Sequence, residues 1–145
     1  MTRYLCDKYD KEHRLLPPVG DPKRYAVLQW VHAAEATYTL HSIAILYARW
    51  HQQSGNVEET EARLSKNVQN DLNYFQSELE KSGGKFLFGD QPTVADMQMH
   101  FSLSFIVARE LGTKDMKLDR IQQYVKDCEA VPSYKAAVEK TGHTL

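Results

Sequence analysis

The sequence of 145 residues predicts an all-α domain, and three observations carry that reading. Every segment between turn signals repeats its apolar residues at helical spacing. No run of four or more alternating β-branched or aromatic residues is bounded by turns, so no segment reads as a strand. The length suits one domain and is short for two. Turn signals stand at Pro17-Pro18-Val19-Gly20, Ser54-Gly55-Asn56, Ser82-Gly83-Gly84, Gly89-Asp90-Gln91-Pro92, Gly112 and Pro132. They divide the chain into five or six helices.

The longest segment runs from about 22 to 51. Trp30, Val31, Ala33, Ala34, Tyr38, Leu40, Ile43, Ile45, Leu46, Tyr47 and Trp50 spread over nearly its whole circumference. Such a helix either sits deep in its domain or turns one face to something outside the chain. The next segment, 57–81, is amphipathic: Leu64, Val68, Leu72, Phe75 and Leu79 step by 4, 4, 3 and 4, with charged residues opposite. Segment 93–111 carries Met97, Phe101, Phe105 and Ala108 in one line and Met99, Leu103, Ile106 and Val107 on its other sides. It therefore reads as the buried central helix. Thr93-Val94-Ala95-Asp96 has the form of a capping box, with Thr93 as N-cap and Asp96 bonding back, and Met97 can pack on Pro92. Two shorter helices follow, one through Leu118, Ile121, Tyr124 and Cys128, the other from Ser133 to Lys140.

Composition excludes several function classes. Lys plus Arg is 18 and Asp plus Glu is 19, a formal charge of −1. That balance argues against a nucleic-acid footprint and against a polybasic membrane patch. The longest apolar run, Ile43 to Ala48, is six residues, far short of a membrane span. The first twenty residues hold Asp7, Asp10 and Glu12 and no apolar core of a secretory signal. Cys6 and Cys128 have no CxxC partner and read as free thiols. A cytoplasmic protein is expected.

Local chemistry is sparse. The sequence contains no Gly-rich phosphate loop, no GxSxG, no HExxH and no paired Cys/His metal spacing. His32 and Glu35 share a helix face at i, i+3, which serves a polar ligand, a proton transfer or an ordinary surface hydrogen bond. Asp96 and His100 stand at i, i+4, half of a metal site, but a cap already accounts for Asp96. No metal site is expected within the chain, and the local chemistry alone reads as a soluble all-α domain.

Three stretches resemble one family. Trp30-Val31-His32-Ala33-Ala34-Glu35-Ala36-Thr37, Phe86-Leu87-Phe88-Gly89-Asp90-Gln91-Pro92-Thr93-Val94-Ala95-Asp96-Met97 and Pro132-Ser133-Tyr134-Lys135-Ala136-Ala137-Val138-Glu139-Lys140 are similar, in order and spacing, to motifs of the C-terminal all-α domain of cytosolic glutathione transferases of fungal and bacterial type. In that resemblance Thr93 and Asp96 are the family's capping pair. The opening Arg3-Tyr4-Leu5-Cys6-Asp7-Lys8-Tyr9 resembles the end of the last helix of the family's thioredoxin-like N-terminal domain.

The resemblance implies a domain map and a function. Residues 1–10 would be the remnant of that last helix with its linker, and 11–145 the transferase C-terminal-like domain. The thioredoxin-like domain, which holds the residue that activates the glutathione thiol, would be a partner in cis. Glutathione would then be co-substrate of the full-length parent, with no cofactor held by this chain. The parent would conjugate glutathione to hydrophobic electrophiles, the isolated chain would be inactive, and a homodimer or self-association is expected. His32, Glu35 and Thr37 match motif positions in the helix that lines the electrophile pocket, and Tyr38 follows. His32, Glu35 and Tyr38 advance by 3 and 3 and are expected to face the cleft together. Ala33, Ala36 and Leu40 depart from the family pattern, which implies an altered pocket. The alternative is a stand-alone protein-interaction or scaffold module of the same fold. If a partner domain belongs here, Tyr4, Leu5, Tyr9 and part of the long helix should form an apolar patch on the surface.

Overall fold

The computed structural model describes residues 1–142, and the regular elements among them are all helical. Helix α1 spans Thr2–Tyr9. The long helix follows as α2, Pro22–Ala33, a π-helical segment, Ala34–Thr39, and α3, Leu40–His51, without a break. Then come α4 at Val57–Ser82, α5 at Val94–Ala108, α6 at Asp119–Glu129 and α7 at Pro132–Thr141. Counting the long helix once gives six, within the number that the turn signals predict.

Local chemistry sets the ends. The Asp21 carboxylate accepts the Lys23 N–H at 2.8 Å, and Pro22 supplies a preset φ at the first helical position. Asn56 caps α4 through the Glu59 N–H at 3.1 Å. The same helix stops at Gly83, which takes the left-handed conformation at φ 67°. The turn behind it closes tightly because a Cβ on Gly84 would lie 2.4 Å from the Gly89 carbonyl carbon.

Packing follows the apolar faces. α3 lies along α4, while α2 and the π segment lie against α5, which also meets α6. The core joins Val27, Trp30, Ile45, Leu72, Phe75, Leu103, Ile121 and Tyr124. Phe75 meets Tyr124 edge-to-face at 4.9 Å and Trp30 at 5.7 Å.

The π segment has a cause in the core pattern. Trp30, Ala34, Tyr38 and Ser42 are all buried and stand four residues apart. In a regular α-helix each four-residue step overshoots a full turn by about 40°. Three such steps would carry Ser42 well off the buried line. A π turn takes one residue more and absorbs the drift. Its mark in the backbone is the Leu40 N–H, which reaches five residues back to the Glu35 carbonyl.

Helix α1 is fastened to the bundle. The buried Arg24 guanidinium donates to Asp7 Oδ1 at 2.7 Å and to the Pro17 carbonyl at 2.7 Å. The Asp10 carboxylate accepts the N–H groups of Arg14, Leu15 and Leu16 and so shapes the linker. The Leu15 carbonyl then accepts the Val94 N–H at 2.9 Å, at the start of α5.

Candidate functional site

The expected site residues do not share one face. His32 and Glu35 are exposed on the long helix, and Thr37 is half-buried. Tyr38 is only 2% exposed and lies in the core against Trp30 and Phe75. This corrects the expectation that Tyr38 joins His32 and Glu35 in an open cleft. The three-residue spacing puts residues on one side of an α-helix, but Glu35 and Tyr38 lie in the π segment, where the angle per residue is smaller.

The Tyr38 hydroxyl donates to the Asp71 carbonyl at 3.0 Å. Burial first, and then the charge of Asp71, raise its pKa far above the ordinary phenol range. It stays protonated and acts as a fixed donor between the long helix and α4. Beside it, His41 Nδ1 meets Asp71 Oδ2 at 2.6 Å.

Thr93 and Asp96 form the capping box of α5. Asp96 is 1% exposed, and its carboxylate accepts four bonds. They come from the Thr93 N–H at 2.7 Å, the Thr93 hydroxyl at 2.9 Å, the Leu87 N–H at 3.0 Å and the Tyr124 hydroxyl at 3.0 Å. This carboxylate is filled by the protein and offers no lone pair for a metal. His100 turns instead toward α6, with Nε2 3.5 Å from Glu129 Oε1. Among the described residues, no group of three His, Cys, Asp or Glu side chains could hold a metal ion.

Neither thiol is set up as a nucleophile. Both cysteines are free and buried. Burial, followed by the charges of Asp10 and Asp7, raises the Cys6 pKa. Burial and the charge of Asp96 push Cys128 up to about 12. The thiolate is the reactive form, so both are chemically quiet near neutral pH.

Two adjoining hollows open beside α5. The larger, about 760 Å³, lies between α1, the linker and the start of α5, with Leu5, Cys6, Tyr9, Leu15 and Met97 on its walls. The smaller, about 380 Å³, lies under α7 and is lined by His100, Cys128, Val131 and Tyr134. His32, Glu35, Thr37 and Tyr38 line neither of them.

The feature that periodicity missed is on α5 itself. Met99, Leu103 and Ile106 are fully buried, as a central helix requires, yet Met97 is 43% and Phe101 53% exposed. Phe101 stacks on the half-buried Phe105 at 6.3 Å, and the Arg109 guanidinium sits over the Phe105 ring. Their even four-residue spacing is a sequence signal for a single stripe, but not for an uncovered one. Tyr4, Leu5 and Tyr9 on α1 are also exposed, as are Tyr25, Leu40, Tyr47 and Trp50 on the long helix.

A family model described as the C-terminal domain of glutathione S-transferase matches residues 39–141. Among solved structures, the chain is similar to a glutathione S-transferase from Actinobacillus pleuropneumoniae, at 22% identity and a TM-score of 0.75, over 99% of this chain and 62% of that one. A glutathione transferase homolog from Lodderomyces elongisporus, solved with two GSH per subunit, aligns at 19% identity and a TM-score of 0.77, over 97% and 64%. A glutathione transferase from Methylococcus capsulatus aligns at 26% identity and a TM-score of 0.74, over 97% and 64%. The chain thus spans less than two thirds of the length of these structures. No curated protein matches it. With the family match covering most of the helical bundle and the capping box seated at the start of its central helix, the chain belongs to the glutathione S-transferase C-terminal domain family.

Proposed function

We propose that this chain forms the electrophile-pocket wall and part of the dimer contact of a glutathione transferase, with a thioredoxin-like domain in cis. The observation that carries this reading is the uncovered stripe of Met97 and Phe101 on the helix that is otherwise most deeply buried. A contiguous apolar surface of this kind marks a docking face. A second domain lying over it, beside Leu5 and Tyr9, would bury it. In support, the transferases it resembles are longer than this chain by more than a third of their own length.

The chemistry divides in the same way. Conjugation forms a bond between sulfur and the electrophilic carbon as a leaving group departs, and it needs the glutathione thiol as thiolate. Tyr38 is a buried, protonated phenol and is not aimed at an open site, so activation of the thiol falls to the partner domain. His32, Glu35 and Thr37 on the long helix contact the hydrophobic electrophile, and Tyr38 braces them from behind. The parent takes glutathione as co-substrate, while the isolated chain is inactive.

Capture of the native protein from its source, followed by intact mass and a glutathione conjugation assay with an activated aryl halide, tests this. A mass well above the 16.7 kDa of this chain, with conjugation that the isolated chain lacks, is expected. In the active two-domain protein, Glu35→Ala should raise KM for the halide several-fold. A native mass equal to that of the chain, without conjugation, would overturn the enzyme reading and leave a stand-alone interaction module.

A further inference from the structure

We propose that the hydroxyls of Ser102 and Thr39 lock the π segment as a one-residue insertion in the long helix, and thereby determine which of Glu35, Ala36 and Thr37 face the open side. The Ala34 carbonyl accepts the Thr39 hydroxyl at 2.9 Å and the Ser102 hydroxyl at 2.8 Å, and the two hydroxyls lie 3.0 Å apart. Thr39 reaches five residues back along its own helix, where a threonine in an α-helix bonds three or four back. Ser102 comes from α5 and is 2% exposed. The lock is therefore tertiary, tying the wide turn to the helix that carries the Met97 and Phe101 stripe.

The geometry makes the lock consequential. One residue in an α-helix is about 100° of rotation. With the wide turn in place, Trp30, Ala34, Tyr38 and Ser42 all stay inside, while Glu35 and Ala36 stay exposed. If the turn relaxed to α geometry, the half of the helix before it would rotate relative to the half behind. The side chains offered to a ligand would change with no change in sequence. Ser102 and Thr39 touch no ligand in this scheme; they are positioning residues. Their role in selectivity rests on the transferase reading above, whereas the lock itself does not.

The experiment pairs two readouts. Amide hydrogen exchange on this chain compares wild type with Thr39→Val, Ser102→Ala and Thr39→Ser. The first two should speed exchange of amides 38–42 about tenfold relative to those of α4, and Thr39→Ser, which keeps a hydroxyl, should restore the wild-type rate. Exchange that rises equally throughout the chain, or not at all, overturns the lock. In the two-domain protein, the ratio of kcat/KM for a small and a bulky aryl halide should shift at least threefold in Thr39→Val and return in Thr39→Ser. An unchanged ratio overturns the role in selectivity. A two-domain protein that conjugates neither halide would sink the transferase reading, and the exchange data would still decide the lock.

Discussion

Asp96 shows how much one side chain can organise. An unpaired buried carboxylate costs several kcal/mol, and this one is offset by four donors from three parts of the chain. It caps α5, holds the turn before it through Leu87 and seats α6 through Tyr124. Burial and the Asp96 charge keep the Tyr124 phenol protonated and donating. Asp96→Ala should therefore cost roughly 3–5 kcal/mol in urea unfolding, since it orphans buried N–H and O–H groups. Asp96→Asn, which keeps one acceptor oxygen, should cost less. A loss below about 1 kcal/mol for the alanine variant would contradict this account. The Thr93–Asp96 half of the network was legible in the sequence because capping is local, three residues apart. Leu87 and Tyr124 were not, because nothing in the spacing says that they converge.

At the scale of elements, α7 is thinly attached, and it meets α6. It buries no residue fully, and it is held by Val131 at its N-cap, which packs against the core, and by the half-buried Tyr134. Tyr134 rests edge-on against the His100 ring at 5.0 Å. The groups facing His100 are Glu129 from α6 and Tyr134 from α7. Burial lowers the His100 pKa, with Glu129 opposing part of the shift. A base whose pKa is lower when folded takes up its proton more readily when unfolded. Stability linked to His100 is thus present above the ordinary histidine range and lost as pH falls through it, below about 6.5. Melting followed at pH 7 and pH 5 should show that loss, and His100→Leu should shrink it. An unaltered pH dependence in the variant would show that the acid sensitivity lies elsewhere.

Over the whole molecule, the unequal covering of the surface matters most. The long helix and α5 each bury one side and leave aromatic residues on the other. The isolated chain should therefore self-associate. Sedimentation velocity across a concentration series should detect this, and Phe101→Glu should return the chain to monomer with a stability change within about 0.5 kcal/mol. Association that survives Phe101→Glu would move the contact to the Tyr47 and Trp50 end of the long helix. The fold class and the placement of the helices between the turn signals agree with what periodicity predicts, and Tyr4, Leu5 and Tyr9 are exposed.

The sequence by itself determined the helical class, the order of the helices and the family, because periodicity and turn residues act within a few positions of one another, although α5 ends at Ala108, short of the segment read to 111. It also placed the capping pair at the start of the central helix. Only the tertiary structure decided that Tyr38 is buried, that the long helix carries a π turn, and that one stripe of the central helix is open. A sequence pattern orders side chains around their own helix axis. Which side another helix covers, and whether one inserted residue rotates the axis by a fraction of a turn, depends on contacts between residues as far apart as Ala34 and Ser102.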